Sequence, residues 1–410
     1  MGERVLSGQQ QTNARATAVI NASRRATRAE IDLDAVAHNV RFFADHAGPS
    51  AGVMAVVKAN AYGHGAIMIA RAAIEAGARW LAVATVDEGC QLRAAGLTAP
   101  ILVLAPSHPD EATAAVRADL TLAVADLALA AAVGAAAGRG TAPIHVEVDT
   151  GLNRFGIAHT IAAEEIARIA ALPGVRLDGV YTHFATADEA DRRFHDEQEA
   201  RFGAVLEALT ARGITVPHIH QDNSAGAIGG PGSRATLIRP GVALYGMSPS
   251  DEVPAPPALR PVLSLYSRVA RVLDLDPGDT VSYGRTFTAM KAMRAALVPL
   301  GYADGYRRGL SGCGQMILGG QRTPVLGRVC MDQTVIAIPD GVPVAIGDEV
   351  VAIGAQGEGR ISADELAVLA GTIPYEIGTG ISARVPRHYL RGGRLVAIET
   401  FNGLHEIEDW

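Results

Sequence analysis

Eight times between about residues 50 and 245, a short apolar run is followed by a turn and then by an Ala/Glu/Arg-rich stretch of helical period. The runs fall at 53–58, 80–86, 101–105, 120–125, 144–149, 177–183, 218–223 and 235–239. Segments of helical period lie between most of them, for example 67–78, 86–95 and 161–171, and an amphipathic segment at 33–46 precedes the first run. Strands that alternate with helices pair in parallel, because a crossover helix returns the chain to the same end of the sheet. Eight such units in about 200 residues favour a TIM-type (β/α)8 barrel over an open doubly wound sheet. The interval before the last run, with Gly-Gly-Pro-Gly at 229–232, departs furthest from the repeat.

The texture changes at 251–261, where four prolines occur in eleven residues, as suits a linker. Short β-type runs then follow at 263–273, 295–300, 315–318, 325–331, 333–338 and 349–353, with a helix near 363–370. The expected organisation is a polar, loosely ordered extension over 1–27, a barrel over 28–255, and a mostly β C-terminal domain over 256–410.

Composition narrows the class. Hydrophobic residues make up 49% and charged residues 19% of the chain, enough for a large core and too apolar for disorder. A net charge of −7 argues against nucleic acid as a partner, since phosphate backbones attract basic surfaces. The three cysteines (Cys90, Cys313, Cys330) have no CxxC spacing, so neither a zinc site nor a disulfide framework is expected. No apolar run reaches membrane-spanning length, and the N-terminal segment lacks a secretory apolar stretch. A cytoplasmic enzyme of small molecules, with no bound metal, fits these constraints.

In a parallel barrel, reactive groups gather where strands end and loops converge. The first run leads into MAVVKANAYGHG, which places Lys58 at such an end. Two readings of Lys58 stand here: an amine held among apolar walls, which loses its proton and condenses with an aldehyde, or a lysine that reaches solvent. Tyr62 offers a hydroxyl to an anion. The fifth run, VEVDTGLNRFG, brings Arg154, a partner for a carboxylate. The sixth ends at His183, which serves either as a base or as a flat face against a ring. The seventh ends at Asn223 and Ser224; the eighth ends at Arg239, with free amides expected at Gly241 and Val242. Hydroxyls and turn amides at strand ends are the materials of a phosphate cradle. Together these groups suit an aldehyde cofactor that carries a phosphate, namely pyridoxal 5′-phosphate. His218 and His220 read as core histidines rather than metal ligands, and Cys330 as packing.

The same residues carry a resemblance. MAVVKANAYGHG around Lys58 resembles the cofactor-lysine motif of the alanine racemases, fold-type III pyridoxal-phosphate enzymes. The likeness continues through AEIDLDAVAHNV (29–40), VDTGLNRFG (148–156), YTHFATAD (181–188), IRPGVALYG (238–246), VSYG (281–284), GYADGYRRGL (301–310), GRVCMDQ (327–333) and RVPR (384–387), and so covers both expected domains. It implies that Lys58 holds the cofactor and acts as one of two bases at Cα, with Tyr283 as the opposite base, supplied by the partner subunit of a homodimer with shared sites. It further implies that His183 lies at the pyridine ring, that Arg239 faces the pyridine nitrogen, and that Tyr62, Ser224, Gly241, Val242 and Tyr375 hold the phosphate. Arg154 and the Met331 amide meet the substrate carboxylate, and Tyr302, Asp188, Arg308 and Arg328 line the entrance. A guanidinium stays protonated and gives the ring nitrogen no proton, which favours racemisation over decarboxylation. One position departs from the family: many relatives carry a modified, negatively charged lysine where this chain has Glu147. The expectation is that Glu147 pairs with Arg154. The implied activity is interconversion of L- and D-alanine for peptidoglycan. The rivals are a racemase of another amino acid such as serine or lysine, a non-catalytic cofactor carrier, and a fold-III decarboxylase.

Overall fold

A computed structural model of the chain describes residues 25–230 and 234–407. Residues 1–24, which form most of the expected extension, and 231–233 within the Gly-Pro-Gly segment lie outside the described residues. The chain divides into two compact units. Among the described residues, one comprises 35–62, 66–230 and 234–260; the other comprises 25–34, 63–65 and 261–407.

The β unit claims the chain's first strand. Strand β1 (Arg28–Asp32) alternates in burial, with Ala29 and Ile31 inward. It pairs antiparallel with β11 (Leu263–Arg268) and parallel with β21 (Arg387–Arg391). An apolar face with two neighbours there explains why the barrel unit begins at Ala35, not at the expected 28. Just before it, Thr27 is fully buried, and its hydroxyl meets Ser267 Oγ and Pro299 O at 2.8 and 2.6 Å.

The barrel unit follows the eightfold repeat. Helix α1 (Leu33–Ala47) leads to β2 (Gly52–Val56), then α2 (Ala66–Glu75), β3 (Trp80–Val83), α3 (Val86–Ala94), β4 (Ile101–Val103), α4 (Ala112–Arg117), β5 (Thr121–Val124), α5 (Leu127–Ala136) and β6 (Ala142–Asp149). A two-residue strand, β7 (Ile157–Ala158), pairs only with β6. Next come α6 (Ala162–Ala170), β8 (Val175–Thr182), α7 (Arg193–Ala211), β9 (His218–His220), α8 (Ser224–Gly229) and β10 (Leu237–Ile238). Apart from β7, the strands pair in parallel round a closed ring, β2-β3-β4-β5-β6-β8-β9-β10 and back to β2. Each falls inside or against one of the eight predicted runs, and β2, β8, β9 and β10 stop short of Lys58, His183, Asn223 and Arg239, the polar residues that end theirs.

Apolar filling on both faces supports this ring. Strands β2 to β5 are buried at every position, as parallel strands covered by helices must be. Asn39 on α1 ties the end of the unit to its start: its side-chain amide donates to Leu244 O and Arg260 O at 2.9 and 2.8 Å, and its oxygen accepts from Arg260 N at 2.9 Å.

The β unit continues with β12 (Arg271–Leu275), β13 (Thr280–Val281), β14 (Phe287–Thr288), β15 (Met293–Val298), β16 (Gln315–Leu318), β17 (Gln321–Pro324), β18 (Thr334–Ala337), β19 (Glu349–Gln356), β20 (Gly359–Ile361), α9 (Ala363–Ala370), α10 (Pro374–Gly380), β21, β22 (Arg394–Thr400) and β23 (Gly403–Glu406). Its main sheet runs β17-β16-β19-β11-β1-β21-β22-β23, with β20 beside β19; β12-β15-β18 and β13-β14 form smaller sheets. The expected run 263–273 is two strands, and 325–331 is no strand: only a bridge from Val325 to Ile336 forms there, since this stretch is given over to turns about Gly327 and Arg328. Arg387, on β21, is buried and spends its guanidinium on the carbonyls of Gly63, Ile381, Ser382 and Val385.

Replacing Asn39 with leucine strands the buried Leu244 carbonyl and the partly buried N–H and carbonyl of Arg260. An Asn39→Leu variant should lose on the order of 3 kcal/mol of stability, read from the urea midpoint; a loss under about 1 kcal/mol would contradict this role.

Candidate active site

The loop after β2 sets the site. Ala59, Asn60, Ala61 and Tyr62 all adopt left-handed backbone, with φ of 52 to 53°. Such geometry costs an L-residue about 1–2 kcal/mol each, so neighbours must hold it. Glu88 Oε1 accepts from Ala59 N at 2.7 Å, Asn60 Oδ1 accepts from Ala66 N at 2.8 Å, and Ala61 N donates to Val57 O at 2.8 Å. Glu88 is itself fixed as the far member of a capping box with Thr85 on α3. The turn leaves Lys58 directly past β2. Burial, then the charge of Arg154, lowers its proton affinity; Glu88 opposes them, and Arg239 adds a smaller lowering. An amine of this kind is a nucleophile toward an aldehyde, so the first of the two readings of Lys58 is the one its surroundings favour.

Tyr62 is buried beside Tyr245, ring centroids 5.1 Å apart. A Cβ at Gly241 would stand 2.5 Å from Tyr62 Oη, so only glycine admits the hydroxyl to that backbone. Ser224 Oγ accepts from Gly241 N at 2.8 Å and from Ala243 N at 3.2 Å. The Gly241 amide, expected to be free, is therefore engaged by the serine. Two hydroxyls and the 241–243 backbone still converge on one small region, and the donor set fits the oxygens of a phosphate.

Arg239, two residues before Gly241, is 3% exposed. One terminal nitrogen donates to His220 Nδ1 at 2.8 Å; the other donates to Thr182 O and Gln221 O at 2.9 and 3.2 Å and lies 3.3 Å from His183 Nδ1. The guanidinium also covers the Tyr181 ring at 5.3 Å. Burial lowers its proton affinity, yet a guanidinium remains charged. Burial and the neighbouring cations Arg239, Arg154 and Lys58 hold His183 well below the usual imidazole range, so its ring is neutral and presents a flat face.

Glu147 does not pair with Arg154 as expected. Its Oε2 accepts from Tyr181 Oη at 2.7 Å, and Arg154 is exposed in the loop after β6. The two side chains leave neighbouring strands, β6 and β8, at paired positions, which brings the tyrosine closer than the loop arginine. Burial pushes the Glu147 carboxyl up to about 7, against the Tyr181 hydrogen bond and the arginine charges. Asp188 lies half-buried in the loop after β8, its carbonyl accepting from Ser250 Oγ.

The remaining expected residues belong to the β unit. Tyr283 is 73% exposed on a short turn in which Ser282, Gly284 and Arg285 all have positive φ. Ser282 Oγ donates to Arg328 O at 2.6 Å and lies 3.3 Å from Cys330 Sγ. Tyr302 N donates to Cys330 O and Ala303 N to Met331 O, both at 3.0 Å. Tyr283, Tyr302, Arg328 and Met331 are thus gathered in one cluster, with Tyr302 and Met331 40% and 52% exposed. Arg308 is exposed on a short 3-10 turn, and Tyr375 is in the first turn of α10. No group of metal-ligating side chains occurs among the described residues, and no described helix is long and apolar enough to cross a membrane.

Sequence reasoning missed Glu88, Tyr181 and Gln198. The first was legible as the Thr85-x-x-Glu88 box. Gln198 is buried, donates to Thr150 Oγ1 and His183 O, and accepts from Ala185 N; nothing in the pattern of α7 marks it.

A carboxyl that binds its proton more tightly folded than unfolded withdraws stability as pH rises from its unfolded value through its folded one. For Glu147 that window runs from 4.5 to about 7. Between pH 5 and 8 the wild type should lose stability relative to Glu147→Gln, by on the order of 2 kcal/mol; parallel melting temperatures across that range would contradict it.

Both units match known proteins. The family profile "Alanine racemase, N-terminal domain" matches residues 31–249, and "Alanine racemase, C-terminal domain" matches 262–389. The chain is 45% identical over 368 residues to an alanine racemase of Symbiobacterium thermophilum, covering 89% of this chain and 97% of that protein. It is 40% identical over 380 residues to alanine racemase 2 of Caldanaerobacter subterraneus subsp. tengcongensis, covering 92% and 98%. Among solved structures, the alanine racemase from Bacillus anthracis with bound L-Ala-P superposes with a TM-score of 0.87 at 39% identity, over 93% of this chain and 99% of that one. That from the D-cycloserine producer Streptomyces lavendulae gives 0.85 at 38%, over 90% and 98%. With both domains matched and relatives aligned over nearly their whole length, the chain belongs to the alanine racemase family.

Proposed function

We propose that this protein is a pyridoxal-phosphate-dependent racemase that interconverts L- and D-alanine in the cytoplasm and supplies D-alanine for the cell wall. The observation that carries the reading is Lys58: a partly desolvated amine on a strained turn, on the same unit as a hydroxyl-lined cradle and a buried arginine. Pyridoxal phosphate, when bound, supplies an aldehyde for amine condensation and a ring that acidifies the substrate Cα–H.

The chain's own residues supply the rest. Lys58 would hold the cofactor covalently and exchange a proton on one face of Cα. Tyr62, Ser224, Gly241, Val242 and Tyr375 would hold the phosphate. His183 would lie against the ring, and Arg239 would face its nitrogen without giving up a proton. Tyr283, exposed on its turn, would be the base for the opposite face, delivered to the partner subunit's site in a homodimer. Arg154 and the Met331 amide would orient the carboxylate; Tyr302 and Tyr375 would limit the side chain to methyl; Asp188, Arg308 and Arg328 would line the approach. Two bases on opposite faces suffice for racemisation, because the proton leaves one side and returns on the other.

Borohydride reduction of the holoenzyme should place a pyridoxyl group on Lys58, found by peptide mapping. A Tyr283→Phe variant should keep the bound cofactor's absorbance and lose at least about a hundredfold in racemisation, as removal of a general base does. Normal turnover in that variant would overturn the two-base reading. Faster racemisation of serine or lysine than of alanine would overturn the substrate.

A further inference from the structure

Below Arg239, toward the opposite ends of the strands, the barrel interior holds histidines that the reaction does not use. His220 Nε2 lies 2.8 Å from His145 Nδ1, and both rings are fully buried. His145 Nε2 is buried without a hydrogen-bond partner and lies 4.0 Å from Asp178 Oδ2; His218 Nε2 is also 4.0 Å from that oxygen. Trp80 packs against both His145 and His218 at 5.1 Å.

Arg239 dictates where every proton in this row stands. A guanidinium only donates, so His220 Nδ1, 2.8 Å from it, accepts. The His220 proton is therefore on Nε2, which donates to His145 Nδ1. That nitrogen also accepts, so the His145 proton is on Nε2 and points at the Asp178 carboxylate, across a separation that one water molecule spans. Neither ring can be a cation, because each uses a bare nitrogen.

The backbone is shaped for this row. Opposite β6, the register of β8 jumps from Ile144↔Leu177 to His145↔Gly179, so Asp178 is the bulged residue. A bulge re-aims a side chain that regular alternation would send elsewhere. A Cβ at Gly179 would stand 2.6 Å from the His145 ring, so only glycine at that position makes room for the imidazole. Asp178 also pairs with Arg176 at 3.5 Å.

We propose that Asp178, His145 and His220 form a positioning relay through the barrel interior that locks both imidazoles in the Nε2–H form and thereby fixes the direction of the Arg239 guanidinium. The active site would then depend on a carboxylate at the far end of the strands. The proposal rests on the reading that Arg239 faces the cofactor.

The test has two parts. In holoenzyme labelled with 15N-histidine, with signals assigned through single substitutions, His145 and His220 should both show the neutral Nε2–H pattern at pH 7. An Nδ1–H ring or a doubly protonated ring at either position would overturn the relay. This part does not depend on what Arg239 faces, so its failure is distinct from failure of the functional reading, which borohydride mapping reports. Among variants, His145→Leu should lower kcat about tenfold, the size expected when one buried donor loses its acceptor, with KM nearly unchanged and the bound cofactor's visible band shifted. His145→Asn, whose amide oxygen stands near the lost Nδ1, should restore most of the rate. Gly179→Ala should behave like His145→Leu. Unchanged kcat and band in His145→Leu, or no rescue by asparagine, would overturn the proposal; if the leucine variant fails to fold, the labelling result and the asparagine variant decide.

Discussion

The buried guanidinium of Arg239 is the constraint around which the barrel unit is organised. A cation taken so far from water must have every hydrogen satisfied, or it destabilises the fold by several kcal/mol. The chain answers with two backbone carbonyls, an imidazole nitrogen and an aromatic face, supplied by β8, by β9 and the loop after it. The same positive charge lowers the proton affinity of Lys58, His183 and His220, and pulls on Glu147 and Tyr181. Burial is the larger influence on each of these groups, and this one charge adds to it or opposes it across the barrel's interior.

The turn from Lys58 to Tyr62 shows a second kind of economy. Left-handed backbone over four successive non-glycine residues is unfavourable by itself. Glu88 offsets part of that cost while capping its own helix, so a single side chain serves a helix start and a strained loop. The loop is short and over-determined, as strained functional loops have to be.

Much of this was legible in the sequence, for identifiable reasons. The eight barrel strands announced themselves because parallel strands covered on both faces are mostly apolar, and several were closed by a polar residue that an apolar core does not tolerate. Lys58, His183 and Arg239 stood out at those closures. What stayed hidden depends on pairing across strands. Tyr181 and Glu147 meet because β6 and β8 are neighbours in one register, which periodicity along a single strand does not reveal. The expected Glu147–Arg154 pair failed for that reason: the resemblance pointed to the arginine, and proximity across the sheet favoured the tyrosine. The β unit was read less well, since many of its strands are short and partly exposed; β13, β14, β17 and β20 span two to four residues, too few to establish a period.

Strand β1 has a consequence for how the chain is made. It sits in the middle of the main sheet, hydrogen-bonded to strands that begin at residues 263 and 387. During synthesis, β1 leaves the ribosome before the barrel unit and must wait for partners made after it, so this sheet closes only once residue 387 and its neighbours have emerged. Pairing over such separations is slow, and the waiting strand, apolar on one face, is exposed to wrong neighbours meanwhile. Removing the first thirty residues would not trim a tail; it would pull the central stave from the sheet.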